Sequence, residues 1–167
     1  AYNCLPASLT EVTFSHPIKR SETAPLPANI QVLNVVELDE HLVSLLPKSL
    51  KTLSVRKVSL SESIVMALPR SLTELATLGF QPLQSASALS VLPPRLTQLD
   101  LVSIEEVLSL REIPGESSSW LPRTVTYLSL GEVRISSPGW FAGLPRALQS
   151  LHIRMAPLRV EDGADLS

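Results

Sequence analysis

Hydrophobic residues recur along this chain in one fixed order. Leu-Pro opens a phrase, two variable residues follow, and apolar side chains then stand at its fifth, eighth and tenth positions, giving Leu-Pro-x-x-Leu-x-x-Leu-x-Leu. The phrase starts at Leu5, Leu26, Leu46, Leu68, Leu92, Leu121 and Leu144, so successive copies are spaced by 21, 20, 22, 24, 29 and 23 residues. Its apolar members are Leu9, Val12 and Phe14; Ile30, Leu33 and Val35; Leu50, Leu53 and Val55; Leu96, Leu99 and Leu101; Val125, Leu128 and Leu130; and Leu148, Leu151 and Ile153. The fourth copy is looser, with Leu72 and Leu75 but Thr77 in the last place. Alternation over the final positions is the period of a half-buried strand, so each copy predicts one short strand. Proline has no N–H to give a ladder, which places it just ahead of the strand.

Variable segments follow each strand, and several read as short capped helices leading into the next Leu-Pro. Asp39 precedes Glu40 to Leu45, Ser61 precedes Glu62 to Ala67, and Ser85 precedes Ala86 to Val91. Ser137-Pro138 reads as a cap and first helical residue, because proline is tolerated where the N–H is orphaned anyway. The unit is therefore strand, loop, short helix and turn, and each unit can bury its apolar face only against its neighbours. The expected fold class is an α/β solenoid of about seven repeats in a single domain over 1–167. Parallel strands would line a concave face, with helices and loops on the convex side. Seven strands give a sheet on the order of 30 Å across.

In its phrase and repeat length the chain resembles the leucine-rich repeat family over nearly its whole extent. One departure stands out. The family commonly carries Asn three residues past the last strand leucine, and here those positions are Pro17, Leu38, Val58, Phe80, Ile104, Val133 and Ala156. Apolar residues there would extend the core. Two variant classes look similar: the Leu-Pro repeats of bacterial effector ubiquitin ligases, and the FNIP repeats of slime moulds, faintly matched by Phe14-Ser15-His16-Pro17-Ile18 and Phe80-Gln81-Pro82-Leu83.

Composition narrows the picture. With 44% hydrophobic residues the chain can build one substantial core, and seven of its 14 prolines sit at the second place of the repeat phrase. Fourteen basic against 16 acidic residues leave a net charge of -2, which argues against a general nucleic-acid or membrane footprint. The single cysteine, Cys4, excludes an internal disulfide framework and a cysteine-based zinc site, and mildly favours an intracellular, cytoplasmic setting. Cys4 is expected to be a small buried apolar residue. No apolar run reaches the ~18 residues of a membrane span, and no signal peptide opens the chain. The first residue is Ala1 rather than Met, and residues 161–167 break off before an eighth Leu-Pro, so a segment of a longer solenoid is one expectation.

If the strand leucines point inward, the residues between them point to the concave face and stack in columns from coil to coil. The first column is Glu11, Val32, Thr52, Glu74, Gln98, Tyr127 and Ser150. The second is Thr13, Asn34, Ser54, Ala76, Asp100, Ser129 and His152, and the third is Ser15, Val36, Arg56, Leu78, Val102, Gly131 and Arg154. The expected partner-binding residues are Val32, Asn34, Val36, Arg56, Glu74, Leu78, Gln98, Asp100, Val102, Tyr127, His152 and Arg154. Against this stands the plainer reading that Thr, Ser and Val are good strand formers on a solvated sheet. A basic rim is expected from Lys48, Arg70, Arg123 and Arg146 directly after the proline, with Arg95 one place later. Acidic residues gather after the strands at Glu37, Asp39, Glu40, Glu62, Glu105, Glu106 and Glu132. Such a difference can steer a partner, although charged turns also simply keep a repeat protein soluble.

Asp100, Ser129 and His152 bring three catalytic residue types into one column, but Ser stands in the middle where a triad needs His between nucleophile and acid. Cys4 with His16 offers no better pair, the histidines have no metal-ligand spacing, and no cofactor or enzymatic activity is expected. Trp120, Trp140 and Phe141 are expected in the convex core. The insert from Ile113 to Ser119 is the most individual stretch of surface. The leading functional expectation is a non-catalytic scaffold that binds a protein or peptide on its concave sheet. The alternatives are a structural segment of a larger solenoid or assembly, and the substrate-recognition module of a ubiquitin ligase, the last implied by the resemblance alone. The sequence leaves the oligomeric state open.

Overall fold

The computed structural model describes residues 5–18, 26–78, 80–81, 87–102, 108–109, 121–134, 141 and 143–155. Each Leu-Pro phrase closes as a β-turn. The N–H of its fifth residue donates to the carbonyl of the proline in all seven copies, from Leu9 to Pro6 through Leu148 to Pro145, at 3.0 to 3.2 Å. Among the described residues no φ is positive, so the turn is of the type that accepts ordinary residues at both central places. Position in the strand is thereby counted from the turn, and every strand leaves it with the same face inward.

The strands that follow are β1 (Glu11–Thr13), β2 (Val32–Leu38), β3 (Thr52–Ser59), β4 (Glu74–Thr77), β5 (Phe80–Gln81), β6 (Gln98–Leu101), β7 (Leu108–Ser109), β8 (Tyr127–Arg134) and β9 (Ser150–Met155). All belong to one sheet. β1, β2, β3, β4, β6, β8 and β9 pair in that order and are all parallel, one per repeat. The short β5 and β7 continue the fourth and fifth coils, pairing with β3 and β8. The result is an α/β repeat fold, with parallel pairing forced by the fact that each strand leaves its turn in the same direction.

Between coils, one carbonyl repeatedly takes two donors. Thr10 O accepts the N–H groups of Gln31 and Val32 at 2.7 and 3.0 Å, and Gln31, Lys51, Thr73, Thr97 and Thr126 accept the equivalent pairs from the next coil. Among the described residues three helices cover one face: α1 (Glu40–Ser44), α2 (Glu62–Ala67) and α3 (Ser87–Ser90). Asp39 and Ser61 cap the first two as the sequence predicts, accepting from the N–H of Leu42 at 2.8 Å and of Ile64 at 3.3 Å. Ser85 and Ala86, like Ser137-Pro138, lie outside the described residues.

The core fills the space between sheet and helices. Leu33, Leu53, Leu75, Leu99 and Leu128 form one buried row, and Leu42, Val43, Ile64, Val65 and Leu89 meet them from the helices. Each such leucine contributes about 1.5–3 kcal/mol by leaving water. Leu38 and Val58, at the positions where an Asn ladder would stand, are buried and extend this core.

Three expectations are corrected. Phe141 is half exposed rather than in the convex core. In the fifth coil Leu108, not Ile104, stands opposite Val133, because that coil holds four more residues before it rejoins the sheet. In the last coils a bulge between Leu130 and Glu132 makes Gly131 an extra residue. Arg154 therefore stands opposite Glu132 instead of Gly131, and Met155 rather than Ala156 stands opposite Val133.

Candidate partner-binding face

The face away from the helices carries the first two columns in unbroken register. Glu11, Val32, Thr52, Glu74, Gln98, Tyr127 and Ser150 are successive partners, as are Thr13, Asn34, Ser54, Ala76, Asp100, Ser129 and His152. The third column follows because pairing runs one residue beyond β4 and β6. The N–H of Leu78 donates to Val55 O and that of Val102 to Thr77 O, both at 2.9 Å. By alternation Val36, Arg56, Leu78 and Val102 share this face.

Its surface mixes apolar and polar groups. Val32, Val36, Val102 and Tyr127 are partly buried, Leu78 is 45% exposed, and Arg56, Gln98, His152 and Arg154 are exposed. Neighbouring coils are tied together by side chains on this face. Asn34 Nδ2 donates to Thr13 Oγ1 at 3.0 Å, Thr52 Oγ1 donates to Glu74 Oε2 at 3.2 Å, and the rings of Tyr127 and His152 lie 5.3 Å apart. Asp100 Oδ1 is buried and has no hydrogen-bond partner among the described residues. Carboxylates occupy the first two columns at Glu11, Glu74 and Asp100, while the third carries Arg56 and Arg154.

Asp100, Ser129 and His152 do fall on consecutive strands, with Ser129 between the other two. His152 leans on Tyr127. His16 is exposed, its Nδ1 3.1 Å from Ser15 Oγ, and Cys4 lies outside the described residues. Among the described residues no group of three or more His, Cys, Asp or Glu is placed to hold a metal ion, and no helix is long and apolar enough to cross a membrane.

Lys48, Arg70, Arg95, Arg123 and Arg146 are all exposed on the turns ahead of the strands, and Glu37, Glu40 and Glu62 are exposed beyond them. Glu105 and Glu106 lie outside the described residues, as do Trp120, Trp140 and the insert 113–119. The turns also hold what pattern reading missed. Ser49 Oγ lies 2.5 Å from Ala28 O and 2.7 Å from Ile30 O of the preceding coil. Ser71 Oγ does the same with Lys48 O and Leu50 O at 2.6 and 2.7 Å, and Thr124 Oγ1 with Pro94 O and Leu96 O at 2.9 and 2.7 Å. Asn29 Nδ2 donates to Ala7 O at 2.8 Å. A side-chain ladder thus links adjacent coils at the turn, on the opposite side of the strand from the missing Asn positions. Its signal in the sequence is Ser, Thr or Asn at the fourth place of the phrase. Arg95 occupies that place in the fifth copy, which is why it stands one residue out of line with the other cations.

No family model matches the chain, and no curated protein matches it significantly. Among solved structures, the crystal structure of CroV588, described as a novel circular LRR protein, aligns with 18% identity and a TM-score of 0.36. The alignment covers 77% of this chain and 24% of that one, so the chain spans about a quarter of that protein's length.

Proposed function

We propose that the chain is a leucine-rich-repeat-like solenoid, of the Leu-Pro variant class, that acts as a non-catalytic scaffold and holds a protein or peptide on its concave sheet. The observation that carries this reading is the in-register open face, on which partly exposed Val32, Val36, Leu78, Val102 and Tyr127 alternate with Asn34, Glu74 and Asp100. Apolar area with interspersed, rigidly placed hydrogen-bonding groups is what an extended segment needs for both burial and register. Leu78 and Tyr127 would be the anchors, Asp100 and Gln98 would take main-chain or side-chain donors, and Arg56 and Arg154 would meet carboxylates. The basic rim of Lys48, Arg70, Arg95, Arg123 and Arg146 would raise the rate of encounter with an acidic partner without adding much affinity.

The test is selection of binders from a random peptide library on the unmodified chain, followed by titration of those peptides against variants. Leu78→Asp and Tyr127→Ala should each weaken binding tenfold or more, while Met66→Asp, on a helix of the other face, should leave it unchanged. Binders that respond to Met66→Asp and ignore both sheet variants would overturn the proposal.

A further inference from the structure

The parallel sheet gathers the turns ahead of its strands on one edge, and that edge has a chemistry of its own. Coils reach their strands through two consecutive turns. In the first, the N–H of the opening leucine donates to the carbonyl three residues earlier, from Leu46 to Val43, Leu68 to Val65, Leu92 to Leu89 and Leu144 to Phe141, at 3.2 to 3.4 Å. The second is the Leu-Pro turn itself. Its stacking is fixed by hydroxyls, since Ser71, beside Arg70, bonds to Lys48 O, and Thr124, beside Arg123, bonds to Pro94 O. Turn corners of successive coils therefore stand in two neighbouring rows, stepping by the ~4.8 Å that separates strands.

Charge divides along the same line. The nine residues that make the two turns and enter the strand, 43–51 in the third copy and their equivalents in the other six, hold six of the 14 cations and none of the 16 acids. The net charge of -2 is thus +6 in these segments and -8 in the rest of the chain. All six cations, Lys48, Lys51, Arg70, Arg95, Arg123 and Arg146, are exposed, one or two on each of five consecutive coils, along about 20 Å of edge. The carboxylates that come next in sequence, Glu11 and Glu74, open β1 and β4 on the concave face, and Glu74 accepts a hydrogen bond from Thr52 there.

The first row of corners is apolar. Of the five large hydrophobic side chains exposed among the described residues, Met66 at 68%, Phe141 at 51% and Val91 at 39% all lie one to three residues ahead of a Leu-Pro. In both Met66 to Arg70 and Val91 to Arg95, three residues folded into turns separate the apolar corner from the cation. A soluble polyanion would use the cations and leave these side chains in water. A partner protein would need a separate recess for each, because they project singly from corners on the fourth, fifth and seventh coils. A bilayer with anionic headgroups accepts both rows, since its interface takes up scattered apolar groups and carries negative charge beside them.

We propose that this turn edge docks on the surface of an anionic lipid membrane, with Met66, Val91 and Phe141 entering the interface and the six cations meeting lipid headgroups. The overall charge of -2 does not oppose this, because the acids beyond the strands at Glu37, Glu40 and Glu62 lie at the other edge and point away from the bilayer. The sheet then stands upright on the membrane with its concave face open, so binding there is neither required nor blocked.

Vesicle co-sedimentation tests it. The unmodified chain should partition onto phosphatidylcholine vesicles holding about 30% phosphatidylserine at least tenfold more strongly than onto phosphatidylcholine alone, and raising salt from about 0.1 M to about 1 M should release most of it. Arg70→Glu with Arg123→Glu should cut partitioning at least tenfold, whereas Lys57→Glu, on β3 beyond the turns, should change it less than twofold. Met66→Ser with Val91→Ser, which leaves the charge alone, should cut it about fivefold, the share owed to apolar insertion. Circular dichroism should show every variant folded, and Lys48→Glu with Arg146→Glu provides a second charge pair should the first misfold. Equal partitioning onto the two kinds of vesicle, or binding that survives both charge pairs, overturns the proposal. So does binding to soluble polyglutamate or single-stranded RNA that matches the vesicles in strength and ignores the Met66 and Val91 changes, since the occupant would then be a soluble polyanion.

Discussion

Thr77 tests the account of the core most sharply. It stands at the tenth place of the fourth phrase, paired in register with Val55 on one side and Leu101 on the other, and it is only 1% exposed. Its hydroxyl has no hydrogen-bond partner among the described residues. A buried, unpaired hydroxyl forfeits its water contacts for nothing, at about 1–3 kcal/mol. Thr77→Val replaces that hydroxyl by a methyl of nearly the same shape, adding about 0.8 kcal/mol of transfer energy for the extra apolar group. Some of this is lost to imperfect packing, so a net gain of about 1–2 kcal/mol is expected. At this chain length that corresponds to an increase in melting temperature of roughly 2–8 °C. Thr77→Ser is the control, since it keeps the hydroxyl and deletes the methyl, and should cost about 1 kcal/mol. Urea unfolding is the assay: the midpoint should rise for Val and fall for Ser at unchanged slope. A valine variant less stable than the parent would mean the hydroxyl is satisfied in solution, and the argument from the buried row would fail at this coil.

Leu99→Ala and Leu128→Ala, both fully buried, should each destabilise by about 2–5 kcal/mol, while Gln98→Ala and Ser129→Ala on the open face should stay within about 0.5. Comparable losses at all four, by urea unfolding, would refute the assigned faces. Ser71→Ala should cost about 0.5–1.5 kcal/mol by removing the hydroxyl bridge to Lys48 O and Leu50 O. Ala147 stands at the equivalent place in the seventh coil without a hydroxyl, so Ala147→Ser should gain a similar amount; opposite signs in thermal melts would dissolve the ladder. Asp39→Ala should cost about 1 kcal/mol and raise amide exchange in Glu40 to Ser44 before other helices; uniform exchange would show that the cap is dispensable.

The architecture was legible in the sequence because its determinants are local. A Leu-Pro turn fixes where counting starts, alternation over five residues fixes which side chains enter the core, and Asp39 and Ser61 announce helices that begin one residue later. Columns one and two followed from that counting and survive in all seven coils. What tertiary structure alone decided involves residues a whole repeat apart. The hydroxyl of Ser49 bridges carbonyls 21 and 19 residues away, and a composition rule has no reason to notice a serine on a turn. The bulge at Gly131 shifted the last coil by one, and the longer fifth coil put Leu108 where even spacing puts Ile104, because loop length determines where a chain rejoins a sheet and alternation does not record it. Burial at the two ends is also a matter of neighbours: Leu151 and Leu128 occupy the same place in equivalent phrases, yet among the described residues only Leu128 has a coil on each side. Sequence specifies the repeat, and stacking specifies what each copy of it experiences.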